Sequence, residues 1–203
     1  MLYGSQQPRR RDALRNREAI VQAASEAMTS ELPAVGMPDI ARRAGVGQAT
    51  LYRHFPDRYA LTDAVIAFQM DRLAACVAAQ RERAGGFRLV LDEVLRTQIT
   101  MRPLVMLARR LDPAVRGRHQ RRIVALLAGP LRWAQEHGHV RRDLVPSDLL
   151  LVIAMVEAVV ESTADMAAAR RTIDLTLDGV FQTAAGSFPE LNARPSSVTT
   201  ADW

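Results

Sequence analysis

Apolar residues in this chain recur every three to four positions in segment after segment. No stretch alternates with the period of two that marks a half-buried strand. Ile20, Val21, Ala24, Ala27 and Met28 predict a first helix, opening at the capping residue Asp12 and ending near Ser30. Pro33 and Gly36 break it. Ile40, Ala41 and Ala44 then form one buried face of a short helix, and Leu51 and Phe55 form that of another. Asp57 is placed to cap a longer helix through Leu61, Val65, Phe68, Leu73 and Val77, ending near Arg83 before Gly85-Gly86. Phe87–Met101 follows, with Leu91, Val94, Leu95 and Gln98 inward. Pro103 and Pro113 bracket a short helix over Leu104–Leu111. A long one over Ala114–His137 should kink at Gly129-Pro130 and close at Gly138. Pro146-Ser147-Asp148 opens the next, to about Ala164, and a last helix covers Arg171–Gly186. The reading is all-α with about nine helices. It has a disordered basic tail over 1–11, a three-helix unit over 12–60, a helical body over 61–190 and a flexible tail over 191–203.

Residues 36–58 are the most informative. Gly45 suits the left-handed turn that ends a helix, and Val46 can fold back as its apolar partner. Leu51 and Phe55 take the buried stripe of the second helix. That leaves Gln48, Ala49, Thr50, Tyr52, Arg53 and His54 for its other faces. Amide, hydroxyl, imidazole and guanidinium groups at this spacing suit base edges and phosphates. Pro56 stops the helix. The segment reads as helix, turn and helix sized for a DNA major groove.

The ordered matches Ile-Ala, Ala-Gly-Val, Thr-Leu-Tyr-x-His-Phe and Asp-Arg resemble the DNA-binding domain of the tetracycline-repressor (TetR) family over about residues 12–73. The resemblance implies that Thr50, Tyr52 and His54 meet DNA backbone or base edges, with Gln48 beside them, and that Arg58 meets a phosphate. It also implies a homodimer on operator DNA whose helical body takes a small effector. Two departures stand out. Gly36 and Gly47 replace the Ser or Thr that usually caps the motif helices, so each lacks a side-chain acceptor, which Asp39 partly offsets. Arg58 replaces the usual Lys, keeping the charge and adding a forked donor.

Composition narrows the choice without changing it. The net charge is +5 and all 27 basic residues are arginine, as a GC-rich coding sequence would favour. Arginine exceeds acid over residues 1–142, and the balance reverses over 143–193. A basic front suits a polyanionic partner. Arg9-Arg10-Arg11 is either a minor-groove arm or a solvating tail. The run Arg116 to Arg122 reads better as a solvated helix start than as a DNA contact. The longest apolar run, Leu149 to Val156, is too short to cross a membrane, and no apolar stretch after the N-terminal arginines makes a secretory signal. With the lone Cys76 this predicts a cytoplasmic protein with no membrane partner.

Catalytic chemistry finds no footing: there is no phosphate loop, nucleophile motif or metal-ligand cluster, so neither an enzyme nor a cofactor is expected. His137 and His139, two apart on a helix, would point to different faces and make a poor metal site. In the body the larger side chains on aliphatic helices are candidate effector contacts: Phe68, Met70, Met101, Met106, Trp133, Met155 and Glu157. For any of the Met and Trp, plain core is the competing reading. Glu157 and Glu161 share a face of an apolar helix. They could meet a cationic effector, pair with arginine across a dimer, or rest in solvent. An apolar or amphipathic effector is expected from the Leu, Val and Met of these helices. The combined expectation is a bacterial, ligand-responsive DNA-binding regulator, a repressor by preference. The alternatives are an activator or effector-independent regulator of the same fold, or an all-α enzyme or binding module with an incidental helix-turn-helix.

Overall fold

The computed structural model describes residues 6–29, 35–80, 82–163 and 165–181. These form nine α-helices and no strand: α1 (Gln6–Ala27), α2 (Met37–Arg43), α3 (Gln48–His54), α4 (Arg58–Ala79), α5 (Gly86–Thr100), α6 (Arg102–Ala108), α7 (Pro113–Glu136), α8 (Asp148–Ser162) and α9 (Met166–Val180). The all-α reading is correct, and the ends of several elements differ from it. Helix α1 begins at Gln6 rather than Asp12, so part of the stretch expected as a disordered tail is helical backbone. No strong breaker stands between them, and Pro8 falls in the first turn, where a proline is tolerated. Helix α9 begins at Met166, ahead of Arg171, because the Asp165 carboxylate accepts the Ala167 N–H at 2.8 Å and caps it. Pro103 lies inside the first turn of α6 rather than before it. Helix α7 runs through Gly129-Pro130 without interruption. The flexible tail expected over 191–203 lies outside the described residues.

Two apolar cores organise the molecule. The first joins Ile20, Val21 and Ala24 of α1, Met28 just after it, Ile40 and Ala41 of α2, Leu51 of α3, Phe55, and Leu61, Val65 and Ile66 of α4. It also takes in Met101, Leu104 and Leu111 around α6, so α6 packs on the N-terminal unit as well as on the body. The second core surrounds α5, with Val90, Leu91, Val94 and Leu95 packed against Leu127 and Leu131 of α7, Leu149 and Val156 of α8, and Ile173 and Leu177 of α9. Helix α4 belongs to both, since its first half lies in the N-terminal core and Leu73 lies in the other. Polar ties hold α4 to α7: Asp63 with the His119 ring at 2.7 Å, and Arg122 donating to Asp71 at 2.5 Å.

Candidate DNA interface and effector cavity

The turn between α2 and α3 closes as its residues require. Gly45 has φ +67, a conformation that strains any residue with a Cβ. The Gly45 N–H donates to the Arg42 carbonyl at 3.2 Å and the Val46 N–H to the Ala41 carbonyl at 3.0 Å. This paired closure satisfies two of the end carbonyls of α2 and fixes the angle at which α3 leaves. Gly36 and Gly47 occupy the cap positions with extended backbone and no side-chain acceptor. Asp39 sits in the first turn of α2 and accepts from Arg42 at 2.6 Å. Asp57 caps α4, accepting the Ala60 N–H at 2.8 Å.

Helix α3 divides sharply between its faces. Leu51 is 0% and Phe55 3% exposed, while Tyr52 is 45% exposed. Gln48, Ala49 and Arg53 are exposed as well, and Thr50 and His54 are half-buried. Six candidate DNA-contact residues are therefore gathered on one short helix, whose two apolar anchors hold it to the core. Arg17 of α1 lies over the Phe55 ring at 5.4 Å, which backs the end of α3. The seventh, Arg58, is half-buried, and its Nη1 donates to the Val35 carbonyl at 2.9 Å. One edge of that guanidinium thus ties α4 to the chain entering α2. Sequence alone did not place this bond, because its partner is a backbone oxygen 23 positions away.

The body holds a cavity of about 500 Å³ bounded by α4, α5, α6, α7 and α8, with Leu104, Leu111, Ile123, Leu150 and Ile153 among its apolar walls. Its polar lining comprises Gln69, Thr97, Gln98, Arg109, Arg116, His119, Gln120 and Glu157. Of the candidate effector contacts, Met70 and Glu157 line it. Met101 is 3% exposed in the N-terminal core, against which Phe68 is half-buried. Met106 and Met155 are exposed. Trp133 lines a different cleft, of about 640 Å³, with Phe87, Val77 and Pro130. The polar lining went unnoticed in the sequence because Gln69, Thr97 and His119 stand on three helices that only the tertiary fold brings together.

Glu161 pairs with Arg109 of the same chain, one of the cations nearest Glu157. Burial pushes the Glu157 carboxyl above its ordinary value, Arg109 opposing the shift and Glu161 adding to it. The Cys76 thiol, beside a smaller pocket of about 160 Å³, is likewise raised by burial and then by Glu93. His137 and His139 do not diverge as they would along a helix. Helix α7 ends at Glu136, Gly138 turns the chain with φ +73, and the two rings lie nearly parallel at 6.4 Å, with His137 stacked on Trp133 at 4.0 Å. Among the described residues no group of three or more His, Cys, Asp or Glu could hold a metal, and no helix is long and apolar enough to cross a membrane.

Comparison with known proteins agrees with this architecture. A family model described as bacterial regulatory proteins, tetR family, matches residues 19–65, from the later part of α1 through the start of α4. A second, described as the C-terminal domain of SbtR-like transcriptional regulators, matches residues 85–181. The chain is 30% identical over 92 residues to the HTH-type transcriptional repressor LfrR of Mycolicibacterium smegmatis, a stretch covering 45% of this chain and 48% of that protein. It therefore spans about half the length of that curated relative. Among solved structures, a TetR regulatory protein from Mycobacterium vanbaalenii superposes with a TM-score of 0.60 at 28% identity, covering 85% of this chain and 98% of the other. The TetR regulator SCO0520 from Streptomyces coelicolor gives a TM-score of 0.60 and 28% identity over 83% and 99%. Two family models in their family order, over residues 19–65 and 85–181, and structural likeness over more than four fifths of the chain together establish that this chain belongs to the tetR family of bacterial regulatory proteins.

Proposed function

We propose that this protein is a homodimeric, operator-binding transcriptional repressor, released from DNA by a small apolar or amphipathic molecule held in the cavity between α4, α5, α6, α7 and α8. The observation that carries the DNA-binding half is the division of α3. Leu51 and Phe55 are consumed by the core, while Gln48, Tyr52 and Arg53 have no structural use for their polar ends and face outward. Gln48 reads a base edge, Thr50, Tyr52, Arg53 and His54 serve edges and phosphates, and Arg58 meets a phosphate with the donors its Val35 bond leaves free. The repressor assignment draws on the likeness to LfrR, whose description is that of a repressor.

A dimer is required by the operator geometry, since two recognition helices must enter grooves one turn of DNA apart, roughly 34–36 Å. Its support is the outward face of α8 and α9. Leu151 and Leu175 are 65% and 54% exposed, although Leu149 and Ile173 two positions before each are fully buried. An effector acts by its preference for one head spacing over another. The cavity is suited to this because α6, which walls it, is also part of the N-terminal core. Selection of DNA fragments from a random pool by the full-length protein tests the proposal. A two-fold symmetric site with half-sites one turn apart is expected, and recovery of no common sequence would refute it. Transcription from that site, with and without the protein, then separates repression from activation.

A further inference from the structure

We infer that Gln69 fixes the pitch of the DNA-binding head on the body, through its bond to Ser25, and is the group by which the cavity's contents change that pitch. The inference rests on the regulator reading above. Among the described residues three polar side chains are buried: Ser25, Thr62 and Gln98. Thr62 and Gln98 bond carbonyls of their own helices, Arg58 and Val94 respectively. Ser25 alone is tied to a different helix. The Gln69 amide, 44 positions away on α4, donates to the Ser25 hydroxyl at 2.7 Å. Ser25 is 5% exposed among Ile20, Val21, Ala24 and Met28, so its oxygen has little access to water.

Apolar side chains of α1 and α4 also meet in the shared core. Such contacts are non-directional and tolerate a small roll or slide, whereas a hydrogen bond weakens steeply as its angle opens. The Gln69–Ser25 bond therefore sets the register between α1, which belongs to the head, and α4, which His119 and Arg122 hold to the body. Gln69 also lines the large cavity and the smaller pocket beside it, with Thr97 and Gln98 on the same walls. Its amide is thus shared between the head and whatever occupies the cavity. A ligand oxygen, carbonyl or hydroxyl, that pulls the amide out of hydrogen-bond reach of the Ser25 hydroxyl breaks that bond. The roll of the head is then released and the spacing of the two recognition helices changes with it.

The test reads spacing rather than affinity alone, because a residue of purely structural importance would weaken binding to every spacing alike. Full-length protein selects its operator from random DNA. Fluorescence anisotropy then follows binding to that operator and to versions with one or two base pairs inserted between the half-sites. Ser25→Ala and Gln69→Met are each expected to shrink the preference for native spacing by at least about fivefold. The double variant should be no worse than either single, since the same bond is lost, and base preference within each half-site should stand. Retained spacing preference in Ser25→Ala, or losses that add in the double variant, would overturn the inference. Ser25→Ala removes a single oxygen and keeps the test decisive should Gln69→Met fold poorly. Failure of the wild type to select any sequence would instead remove the regulator reading, and this inference with it.

Discussion

Glu157 faces a cavity in which the nearby Arg109 is already engaged by Glu161. Burial raises its carboxyl above the ordinary 4.5, so the folded chain holds that proton more tightly than the unfolded chain does. The resulting stability is fully present below the ordinary value and is lost as pH rises through the folded one. Glu157→Gln should therefore raise the melting temperature at neutral pH and flatten the gain in stability on acidification toward 4.5. Thermal melts of both proteins across that range check this, and parallel curves would refute it. On α3 the outcome differs in kind. Gln48→Ala should relax one base pair per half-site, removing roughly 1–3 kcal/mol of discrimination with little change in salt slope. Arg58→Ala should weaken binding to all sequences and flatten the salt slope by about one unit per phosphate contact. Because its guanidinium also holds the Val35 carbonyl, this variant should also lose about 1 kcal/mol of stability. Gel shifts on single-base variants at several salt concentrations, with a melt of each protein, separate the two. The division of α3 into buried and exposed faces was legible because the pattern is local to one helix. The Arg58–Val35 tie was not, because a bond to a distant carbonyl leaves no mark on spacing.

At the scale of elements, periodicity exposed helices whose buried stripes are aliphatic, as with Leu91, Val94 and Leu95 of α5 or Ile173, Leu177 and Val180 of α9. Their ends were less legible, because an end is decided by one cap rather than by a repeated pattern. Asp165 starts α9 five residues before the expected Arg171, and α4 stops at Ala79 although polar residues suited to a helix continue to Arg83. The motif's glycines show the same dependence on single positions. Gly47 has φ −68 and ψ 148, which any residue adopts, and nothing lies within 4 Å of a Cβ placed there. Gly47→Ser should thus supply the missing cap and stiffen the unfolded chain, gaining about 0.5–1 kcal/mol. Gly45 also has open space for a Cβ, but its φ is +67. Gly45→Ala should cost about 1–2 kcal/mol through backbone strain alone. Opposite shifts of the urea midpoint are expected for these two neighbours, and shifts of one sign would contradict the backbone argument.

For the whole molecule, the layout of head and body was legible from the motif and the helix order, but the sharing of α4 and α6 between two cores was not. Nor could the sequence distinguish the apolar residues of α8 that bury within the chain from those that face out, since Leu149, Leu150 and Leu151 are chemically alike. Packing separates them: Leu149 is 0% and Leu151 65% exposed. Leu151 and Met155 lie one turn apart on α8, and Leu175 stands outward on the adjoining α9. Outward apolar side chains of this kind can be covered by a second copy under two-fold symmetry, where each residue finds its counterpart. Placing a carboxylate at its centre should be poorly tolerated, because two copies bring like charges together in an apolar setting. Leu151→Glu with Leu175→Glu is expected to weaken dimerisation by at least about 3 kcal/mol, roughly 100-fold. Both positions are exposed within one chain, so the monomer's helical content and its α3 surface should be preserved. Operator affinity should fall with dimerisation, since one head no longer brings the second to its half-site, an advantage of about 10²–10⁴. Light scattering at micromolar concentration, circular dichroism and gel shifts on full and half operators together decide the matter. A folded variant that stays dimeric, or a monomer that still favours the full operator over the half by the wild-type ratio, would show that the dimer forms elsewhere or is not what DNA reads.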